Sequence, residues 1–310
     1  MSKIYISKEV DPYFNVALEY QLFTEADEDN CLFLWQNQAC VVIGRNQNAY
    51  AECDMEYLKK ENILPVRRFS GGGAVFQDLG NLNFTFITKE AFAKPDEFIE
   101  LAQRAVASLG VECSFSGRND LLYEGKKISG HANYSEDDNY MYHGTMMVNV
   151  DLDKLTHVLK PSFIKLNSKG IDSVRSRVIN LVEVNPNITI DLMRDALTEA
   201  FIDTYGETQP LQYVNKNNSK PPLWPKIEQH DWIFGEAPQF EIQVERRLAA
   251  GNVSIATQVE NGLVTQIEIY SDSLLPVDFS LLKAQLLGIL YEEDEIFKTI
   301  DDFLNNYQRQ

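Results

Sequence analysis

Three consecutive glycines, Gly71 to Gly73, follow two arginines in the segment RRFSGGGAVF. Glycine loses more conformational freedom on folding than other residues, so such a run marks a sharp turn or a close approach to another group. The β-type runs PVRR and AVF on either side predict a loop held between two strands. Backbone N–H groups beside guanidinium groups can bind a phosphate or a carboxylate. An ordinary turn is the alternative, and neither a Walker loop nor a GxGxxG spacing is present.

Composition narrows the class of protein. The chain has 310 residues, of which 44% are hydrophobic and 24% charged, as is typical of folded globular proteins. It carries 28 Lys and Arg against 46 Asp and Glu, a formal net charge of −18, which argues against a binder of nucleic acid or of anionic membranes. Four scattered cysteines without a CxxC pair, a start without an apolar signal core and no long apolar run predict a soluble, cytoplasmic protein with reduced thiols.

Two domains are expected from the length and the pattern of the chain. Short β-type runs alternate with amphipathic helical windows through the first two thirds, which favours an α/β (α+β) fold with a mixed sheet flanked by helices. A chain of 310 residues exceeds what one hydrophobic core usually organises. We therefore predict a large domain at residues 1–245 and a small α/β domain at residues 251–310, with a loop or linker at 215–225.

Capping and turn residues predict individual elements. Lys3–Ser7 is typical of a strand, and Asp11 before Pro12 is typical of the start of a helix. An apolar face over 95–109 that stops at Gly110 predicts another helix. The remaining predictions are hairpin turns at Glu124-Gly125 and Asn261-Gly262, strands at 31–36, 39–44, 111–115 and 142–150, an acidic loop at 135–139, and helices at 278–290 and 292–307.

A second polar cluster, GRNDL followed by KKISG, is predicted to lie on one hairpin. On neighbouring strands of that hairpin, Asp120 and Lys127 come within reach of each other. A lysine beside an anion-binding loop can stabilise the charge that develops when a carboxylate attacks phosphorus, and an aspartate can hold a metal or accept a proton. A surface ion pair is the alternative for these two residues.

Histidines and cysteines give less specific signals. His143 lies in the segment YHGT, and a lone histidine is more often structural than catalytic. The four histidines form no HxxxH or Cys/His set, so the sequence argues against a zinc site. Cys113 falls in the predicted strand 111–115, where a structural thiol is the expected role.

The ordered series of motifs resembles the lipoate–protein ligase A family over nearly the whole chain. The matching segments are DPYFN, LWQN, VVIGRNQN, RRFSGGGAVFQDLGNLNFTF, GRNDL, KKISGHA, YHGTMM, GIDSVRSRV and FGEAPQF. The resemblance implies a mixed-sheet catalytic domain of the biotin and lipoate ligase type with a small C-terminal accessory domain. It also implies two-step lipoylation, in which lipoate and ATP form lipoyl-adenylate and pyrophosphate before a lysine takes the acyl group. ATP and Mg²⁺ would enter as a substrate complex, with no tightly bound cofactor and no zinc.

The resemblance also implies roles for residues of this chain. Lys127 matches the family's essential lysine, which contacts the lipoyl carbonyl and the α-phosphate. Asp120 is the second catalytic candidate, and it could hold Mg²⁺ or assist the incoming amine. The implied lipoate-binding residues are Lys127, Arg68 and Gly73. The implied contacts to nucleotide and adenylate are Arg68, Ser70, Gly72, Gly73, Ala74, Val75, Phe76, Asn81, Asn83, Asn119, Asp120, Lys127, Gly130, Ala132 and His143.

The implied partners are small acids and acyl-carrier domains. They comprise lipoate, with octanoate left open, and the lipoyl domains of 2-oxo acid dehydrogenase E2 subunits and of glycine-cleavage H protein, but no nucleic acid and no membrane. Two alternatives remain. One is an octanoyl or lipoyl transferase of the same fold that acts without ATP, and the other is a noncatalytic carrier of lipoate or nucleotide.

Two residues depart from the family pattern. Gln77 stands where members commonly have a histidine, and Tyr142 replaces the first residue of a frequent His-His pair. Neither departure removes the arginine, glycine or lysine elements. The lipoyl chain needs an apolar slot, and the candidates, any of which could be ordinary core, are Val75, Phe76, Leu79 and Phe84.

Charge is unevenly distributed along the chain. Residues 154–177 contain six basic residues and one acidic residue, whereas residues 251–310 contain three basic and ten acidic residues. We expect the basic segment to steer an acidic acceptor domain to the site. A solvated basic face without a partner is the alternative.

Overall fold

A computed structural model describes residues 1–159, 177–234, 242–260, 262–275 and 277–307. Its strands are β1 Lys3–Ser7, β2 Cys31–Trp35, β3 Cys40–Ile43, β4 Leu64–Arg67, β5 Val75–Gln77, β6 Asn81–Lys89, β7 Ser114–Phe115, β8 Asp120–Tyr123, β9 Lys126–Glu136, β10 Asn139–Met147, β11 Gln212–Val214, β12 Ile242–Leu248, β13 Gly251–Glu260 and β14 Leu263–Ser271. Its α-helices are α1 Pro12–Thr24, α2 Ala49–Glu52, α3 Met55–Lys60, α4 Pro95–Ser108, α5 Leu152–Val158, α6 Leu181–Val184, α7 Ile190–Tyr205, α8 Trp224–Ile227, α9 His230–Phe234, α10 Ser280–Leu286 and α11 Glu293–Tyr307. A 3₁₀ turn spans Glu90–Phe92.

Among the described residues, eight strands form one mixed sheet in the order β11-β1-β2-β6-β10-β9-β8-β7. β1 pairs in parallel with β2 and β11, and every other pair in this sheet is antiparallel. Two three-stranded sheets accompany it, β4-β3-β5 and β12-β13-β14. The architecture is mixed α+β with a small C-terminal domain, which confirms the expected fold class.

Helix α1 begins as its sequence predicts. The Asp11 side chain accepts hydrogen bonds from the backbone N–H groups of Tyr13 and Phe14, and Pro12 occupies the first turn, where its missing N–H costs nothing. The helix packs Phe14 and Val16 into a core on one face of the large sheet. Glu19, which is also buried, lies one helical turn after Val16.

Helix α4 shows why one strand prediction is wrong. Gly110 has φ +79°, its N–H donates to the carbonyl of Ala107, and the N–H of Val111 donates to the carbonyl of Val106. These two bonds close the last turn of the helix. Because Val111 completes the cap, pairing starts only at Ser114–Phe115, and Cys113 lies before the strand rather than in it.

The other predicted boundaries differ by a few residues. The strand expected at 142–150 spans Asn139–Met147 instead, because the turn before it narrows to Asp137 and Asp138, both with positive φ. The helix expected at 278–290 spans Ser280–Leu286. The hairpin turn at Glu124-Gly125 is confirmed, with φ +49° and +78°. At the second hairpin β13 and β14 pair as expected, but Asn261 of its turn lies outside the described residues.

The segment 68–74, called the glycine loop below, connects β4 to β5 as predicted. The two strands flank β3 on opposite sides, so the loop crosses the end of β3. A Cβ on Gly44, just beyond β3, would lie 2.1 Å from the carbonyl oxygen of Gly72. This close approach explains why β3 ends in glycine.

Arg67, the last residue of β4, fixes the start of the glycine loop through hydrogen bonds. Its Nη1 donates to the carbonyls of Gly44 and Gln47, both at 2.8 Å, and its Nη2 donates to that of Ile233 at 2.6 Å. Burial lowers the pKa of this guanidinium to about 10. Arg67 therefore ties the strand that enters the glycine loop to α9, far along the chain.

The domain boundary near residue 250 remains a prediction, and β12, which precedes residue 250, pairs along its length with β13. Most of the basic segment 154–177 lies outside the described residues, so the steering hypothesis stays untested. Within the described ranges, no helix is both long and apolar enough to cross a membrane.

Candidate functional site

A cavity of about 580 Å³ opens beside the glycine loop. Helix α1, strands β2, β3, β5, β6, β9 and β10, the glycine loop and residues 118–119 supply one side, which we call the catalytic wall. The other side, the accessory wall, consists of strands β12 and β13 and the segment 272–275, which contribute the lining residues Arg247, Asn252, Asp272 and Leu274. The cavity therefore combines residues from distant parts of the sequence.

Arg68 shapes the glycine loop and lines the cavity. Its Nη2 donates to the carbonyls of Gly71 at 2.6 Å and Gly73 at 2.8 Å, and its Nη1 donates to that of Val42 at 3.0 Å. Burial lowers the pKa of the Arg68 guanidinium to about 10. Within the described residues no carboxylate forms an ion pair with it, so an anionic ligand would relieve the cost of burying this charge.

Ser70, His143 and Glu19 form a hydrogen-bonded chain behind the loop. The Ser70 Oγ lies 2.8 Å from His143 Nε2, and His143 Nδ1 lies 2.8 Å from Glu19 Oε1. Arg68 Nε donates to the Ser70 Oγ at 3.0 Å. The order of groups is that of a serine nucleophile triad, but Ser70 is completely buried and does not line the cavity. Its role is to hold the loop against β10.

Lys127 and Asp120 meet across the hairpin as predicted, with Nζ 2.7 Å from Oδ1. The oxygen Oδ1 is buried and accepts no well-aligned hydrogen bond from a described residue, so its partner is the ammonium charge of Lys127. A Cβ on Gly130 would lie 2.4 Å from that Nζ. The absence of a side chain at position 130 therefore makes room for the lysine head group in the cavity.

His131 on β9 and Tyr142 on β10 are hydrogen-bonded to each other. The His131 Nδ1 is hydrogen-bonded to the Tyr142 hydroxyl, and its Nε2 lies 2.6 Å from the Ser129 Oγ. Burial, with smaller contributions from Lys127 and His143, lowers the pKa of His131 to about 3. His131 is therefore neutral at physiological pH, and the tyrosine that departs from the family pattern is its partner.

Gln77, the other departure, is also part of a buried amide network. Its Oε1 accepts hydrogen bonds from Asn37 at 2.9 Å and from Asn83 at 3.2 Å. Asn81 donates in turn to the Asn83 side chain at 2.9 Å. Asn81 thus reaches the cavity only through Asn83, which lines it.

Most of the residues predicted from the sequence surround this one cavity. Those that line it are Arg68, Gly72, Gly73, Ala74, Val75, Asn83, Asn119, Lys127, Gly130, Ala132 and His143. Those that do not line it are Ser70, Phe76, Asn81 and Asp120. Phe76 is a buried core residue next to β3, so an apolar residue beside the glycine loop was not enough to predict a contact.

No binding role was predicted from the sequence for several lining residues. The apolar ones among them, Val16, Trp35 and Val42, belong to α1, β2 and β3. The polar and remaining ones are Glu19, Gln77, Arg118, His131, Gly144, Thr145, Arg247, Asn252, Asp272 and Leu274. Trp35 and Val42 belong to the segments LWQN and VVIG. These two segments were the sequence patterns from which an apolar binding pocket could have been predicted.

The accessory wall contacts the glycine loop directly. The backbone N–H of Gly72 donates to the carbonyl of Ser273 at 2.6 Å, and a Cβ on Gly71 would lie 2.3 Å from that same oxygen. The N–H of Ser271 donates to the carbonyl of Asn46 at 2.8 Å. The C-terminal domain therefore closes one side of the cavity through backbone contacts.

Potential metal ligands and thiols are dispersed among the described residues. No group of three or more His, Cys, Asp or Glu side chains in those ranges is placed to hold a metal ion. None of the four cysteines forms a disulfide, and none lines the cavity. Burial raises the pKa of the Cys31 thiol to about 12 and that of Cys113 to about 11, so neither is an activated thiolate.

Comparisons with known proteins agree over both parts of the chain. The family profile described as the lipoyl protein ligase A/B catalytic domain matches residues 11–202, and the profile described as the bacterial lipoate protein ligase C-terminus matches residues 237–309. The crystal structure of P. falciparum LipL1 in complex with lipoate is similar, with a TM-score of 0.80 and 28% identity over 96% of this chain and 94% of that one.

Two further solved structures share the fold. A bi-partite lipoate protein ligase from Thermoplasma acidophilum, described with its E2 lipoyl domain, has a TM-score of 0.68 and 25% identity over 78% of this chain and 99% of its own. A lipoate-protein ligase A bound with ATP has a TM-score of 0.65 and 24% identity over 76% of this chain and 100% of its own.

Proposed function

The chain belongs to the lipoate–protein ligase family, and from that premise we propose that it is an ATP-dependent ligase that lipoylates acceptor proteins. In the first step lipoate and ATP form lipoyl-adenylate and pyrophosphate. In the second step the ε-amine of an acceptor lysine takes the lipoyl group and AMP leaves. The observation that carries the proposal is a cavity with an apolar pocket beside a cluster of cations.

The apolar pocket suits the hydrocarbon chain and dithiolane ring of lipoate. Val16, Trp35 and Val42 line the cavity together with Ala74 and Val75. Trp35 is fixed because its Nε1 donates to the Thr85 Oγ1 at 3.3 Å. Mostly apolar sites with a few fixed polar groups are typical of small-molecule pockets.

The cations suit the two anions that must react. In a chain of net charge −18, the catalytic wall collects Arg68, Arg118 and Lys127. A carboxylate and a triphosphate repel each other, and fixed positive groups and loop N–H groups offset that repulsion. The similar fold bound with ATP in a solved relative is consistent with this assignment.

We assign the central role to Lys127. In the first step a lipoate carboxylate oxygen attacks the α-phosphorus, a phosphorus–oxygen bond forms, and the bond to the departing pyrophosphate breaks. The Lys127 ammonium, 2.7 Å from the Asp120 Oδ1, would move to the charge developing at this centre. No covalent intermediate with the protein is needed.

In the second step the acceptor amine attacks the acyl carbon, the amide bond forms, AMP leaves and the amine loses a proton. Asp120, once Lys127 turns to the substrate, is the carboxylate available beside the reacting groups. Mg²⁺ would arrive with ATP as part of the substrate. If the Asp120 carboxylate does not accept the proton, we assign it to binding this Mg²⁺. An Mg²⁺ titration of the first step with Asp120→Asn separates the two roles.

The transferase alternative receives less support than the ligase. Relatives of that kind use a cysteine thiolate, and here no cysteine lines the cavity. We propose lipoyl domains of E2 subunits and H protein as acceptors, with support from the T. acidophilum ligase described with its E2 lipoyl domain. A cytoplasmic location fits four cysteines that form no disulfide.

The deciding experiment mixes the protein with ATP and free lipoate and measures pyrophosphate release. A lipoyl domain is then added, and the mass gain of one lipoyl group is measured. Release followed by transfer is the expected result, and the rates with octanoate in place of lipoate define the acyl preference. Acceptor modification without pyrophosphate release would indicate the transferase, and tight lipoate binding with neither reaction would indicate a carrier.

A further inference from the structure

Strand β12 carries two consecutive arginines with different surroundings. The Arg246 guanidinium is paired with Glu293 at 2.5 Å and Asp294 at 2.6 Å, both at the start of α11. Arg247 is its neighbour in the strand, and successive side chains of a strand point to opposite faces. Arg247 accordingly lines the cavity, whereas Arg246 does not.

A hydrogen-bonded support orients Arg247. Its Nη1 donates to the Asn252 Oδ1 at 3.0 Å. Both oxygens of Asp272 accept from Asn252, Oδ1 from the backbone N–H at 2.6 Å and Oδ2 from Nδ2 at 3.1 Å. Because Nδ2 is committed to Asp272, the Asn252 amide can only present its oxygen to Arg247. Asp272 thus acts on Arg247 through Asn252.

Arg247 keeps its charge available for a ligand. Within the described residues it forms no ion pair with a carboxylate, although residues 251–310 contain ten acidic residues. Asp272, the acidic residue of the accessory wall, directs both oxygens to Asn252. An exposed, supported guanidinium at the mouth of a cationic cavity is suited to a phosphate, which it can bind with two parallel hydrogen bonds.

We propose that Arg247 binds the phosphate groups of the nucleotide that leave as pyrophosphate. The proposal rests on the proposed function. The apolar side of the cavity belongs to the catalytic wall, so the lipoyl chain would bind there rather than against the accessory wall. The accessory wall instead adjoins the glycine loop, because Ser273, next to Asp272, accepts the N–H of Gly72. Because the loop and Arg247 line the same cavity, a polyphosphate held by the loop would come within reach of Arg247.

This assignment gives Arg247 a role in one half of the reaction. The first step has a triphosphate to bind and a pyrophosphate to release. The second step has neither, because only AMP remains on the acyl group. Loss of Arg247 is therefore expected to weaken the adenylation step and to leave transfer from preformed lipoyl-adenylate intact.

The test compares Arg247→Gln with the matched control Arg246→Gln in the full chain. We expect Arg247→Gln to raise the KM for ATP about tenfold or more, the usual effect of one lost hydrogen bond to a charged group, and to leave the KM for lipoate unchanged. Arg246→Gln should match the wild type in both constants. Asn252→Ala, which keeps the Arg247 charge but removes its support, should give a smaller increase.

A second measurement does not need catalysis. Inorganic pyrophosphate binding is followed by calorimetry, with circular dichroism to confirm that each variant is folded. If only Arg247→Gln binds pyrophosphate more weakly, the role of Arg247 is supported, whether or not the wild type forms an adenylate. Failure of the wild type to form the adenylate would overturn the proposed function instead. Equal binding by both arginine variants, or an effect of Arg247→Gln on lipoate or acceptor constants only, would overturn the role of Arg247.

Discussion

The two walls of the cavity are built differently. On the catalytic wall Arg68 and His143 are buried and hydrogen-bonded, with 7% and 9% of their surfaces exposed, and Lys127 is half-buried and paired with Asp120. On the accessory wall Arg247 is exposed, and contact with the glycine loop runs through the backbone of Ser273. From this difference we expect the catalytic wall to fix the reacting atoms and the accessory wall to add a further ligand contact.

The largest effect should come from the catalytic wall. Lys127→Ala removes the charge that stabilises the transition state of adenylation, and we expect the rate of pyrophosphate release to fall at least a hundredfold, about 3 kcal/mol. The exposed neighbour Lys126, which does not line the cavity, provides the control variant Lys126→Ala. A loss of under tenfold in Lys127→Ala would remove the lysine from the centre of the mechanism.

A second change displaces the same lysine without altering its charge. In Gly130→Ala the new Cβ would lie 2.4 Å from the Lys127 Nζ, and the flexible lysine would have to move. We expect adenylation to slow about tenfold, which is less than the loss expected when the lysine itself is removed. The free energy of unfolding should change little. Rates and urea denaturation of the same samples test this expectation.

Gly144→Ala is the contrasting substitution. There the Cβ would lie 2.5 Å from the ring of buried Phe84 and 2.7 Å from that of His131, so overpacking should destabilise the fold by about 1–3 kcal/mol. If the two glycine variants lose stability equally, the space at Gly130 serves packing rather than Lys127.

The contact between the walls can be broken at Gly71. A Cβ there would lie 2.3 Å from the Ser273 carbonyl oxygen, so Gly71→Ala should push the accessory wall away and release the N–H of Gly72. We expect the KM for ATP to rise about fivefold, as for one lost hydrogen bond. Faster hydrogen exchange at the Gly72 amide would accompany it, and slow exchange in the variant would contradict the expected separation.

The last expected effect is a pH dependence of stability on the catalytic wall. The pKa of His131 is lowered to about 3, against about 6.5 in an unfolded chain. A lowered pKa contributes stability that is complete above about pH 6.5 and is lost as the pH falls towards 3. Between pH 7.5 and pH 5 the wild type should therefore lose up to about 2 kcal/mol more than His131→Gln.

Urea unfolding of both proteins at the two pH values measures that difference. His157→Gln, which removes an exposed imidazole, serves as the control. Equal losses in wild type and His131→Gln would show that another group carries the acid sensitivity.

Local signals predicted much of the fold. The cap at Asp11, the proline and glycine that bound α4, and the turn at Glu124-Gly125 each act within a few residues, so the sequence pattern was sufficient. The same locality explains the error at Cys113. The sequence suggested a strand, but Val111 was needed to cap the preceding helix.

The site was predictable where its residues fall in one motif and not where tertiary packing assembles it. The glycine loop and Lys127 belong to continuous motifs. Glu19 reaches His143 across 124 positions, and no local pattern records that pairing. Arg247 depends on the docking of a second domain, which neither composition nor periodicity specifies.

Arg67 has a consequence for the order in which the protein matures during synthesis. The strand that enters the glycine loop is made early, yet its guanidinium finds two of its acceptors at Trp232 and Ile233, about 165 positions later. Until the ribosome has delivered α9, the guanidinium has only the nearby carbonyls of Gly44, Arg45 and Gln47 as acceptors, and contacts of such long range form late. A nascent chain that ends before residue 232 should therefore lack part of the support of the glycine loop, so the loop should reach its final conformation only late in synthesis.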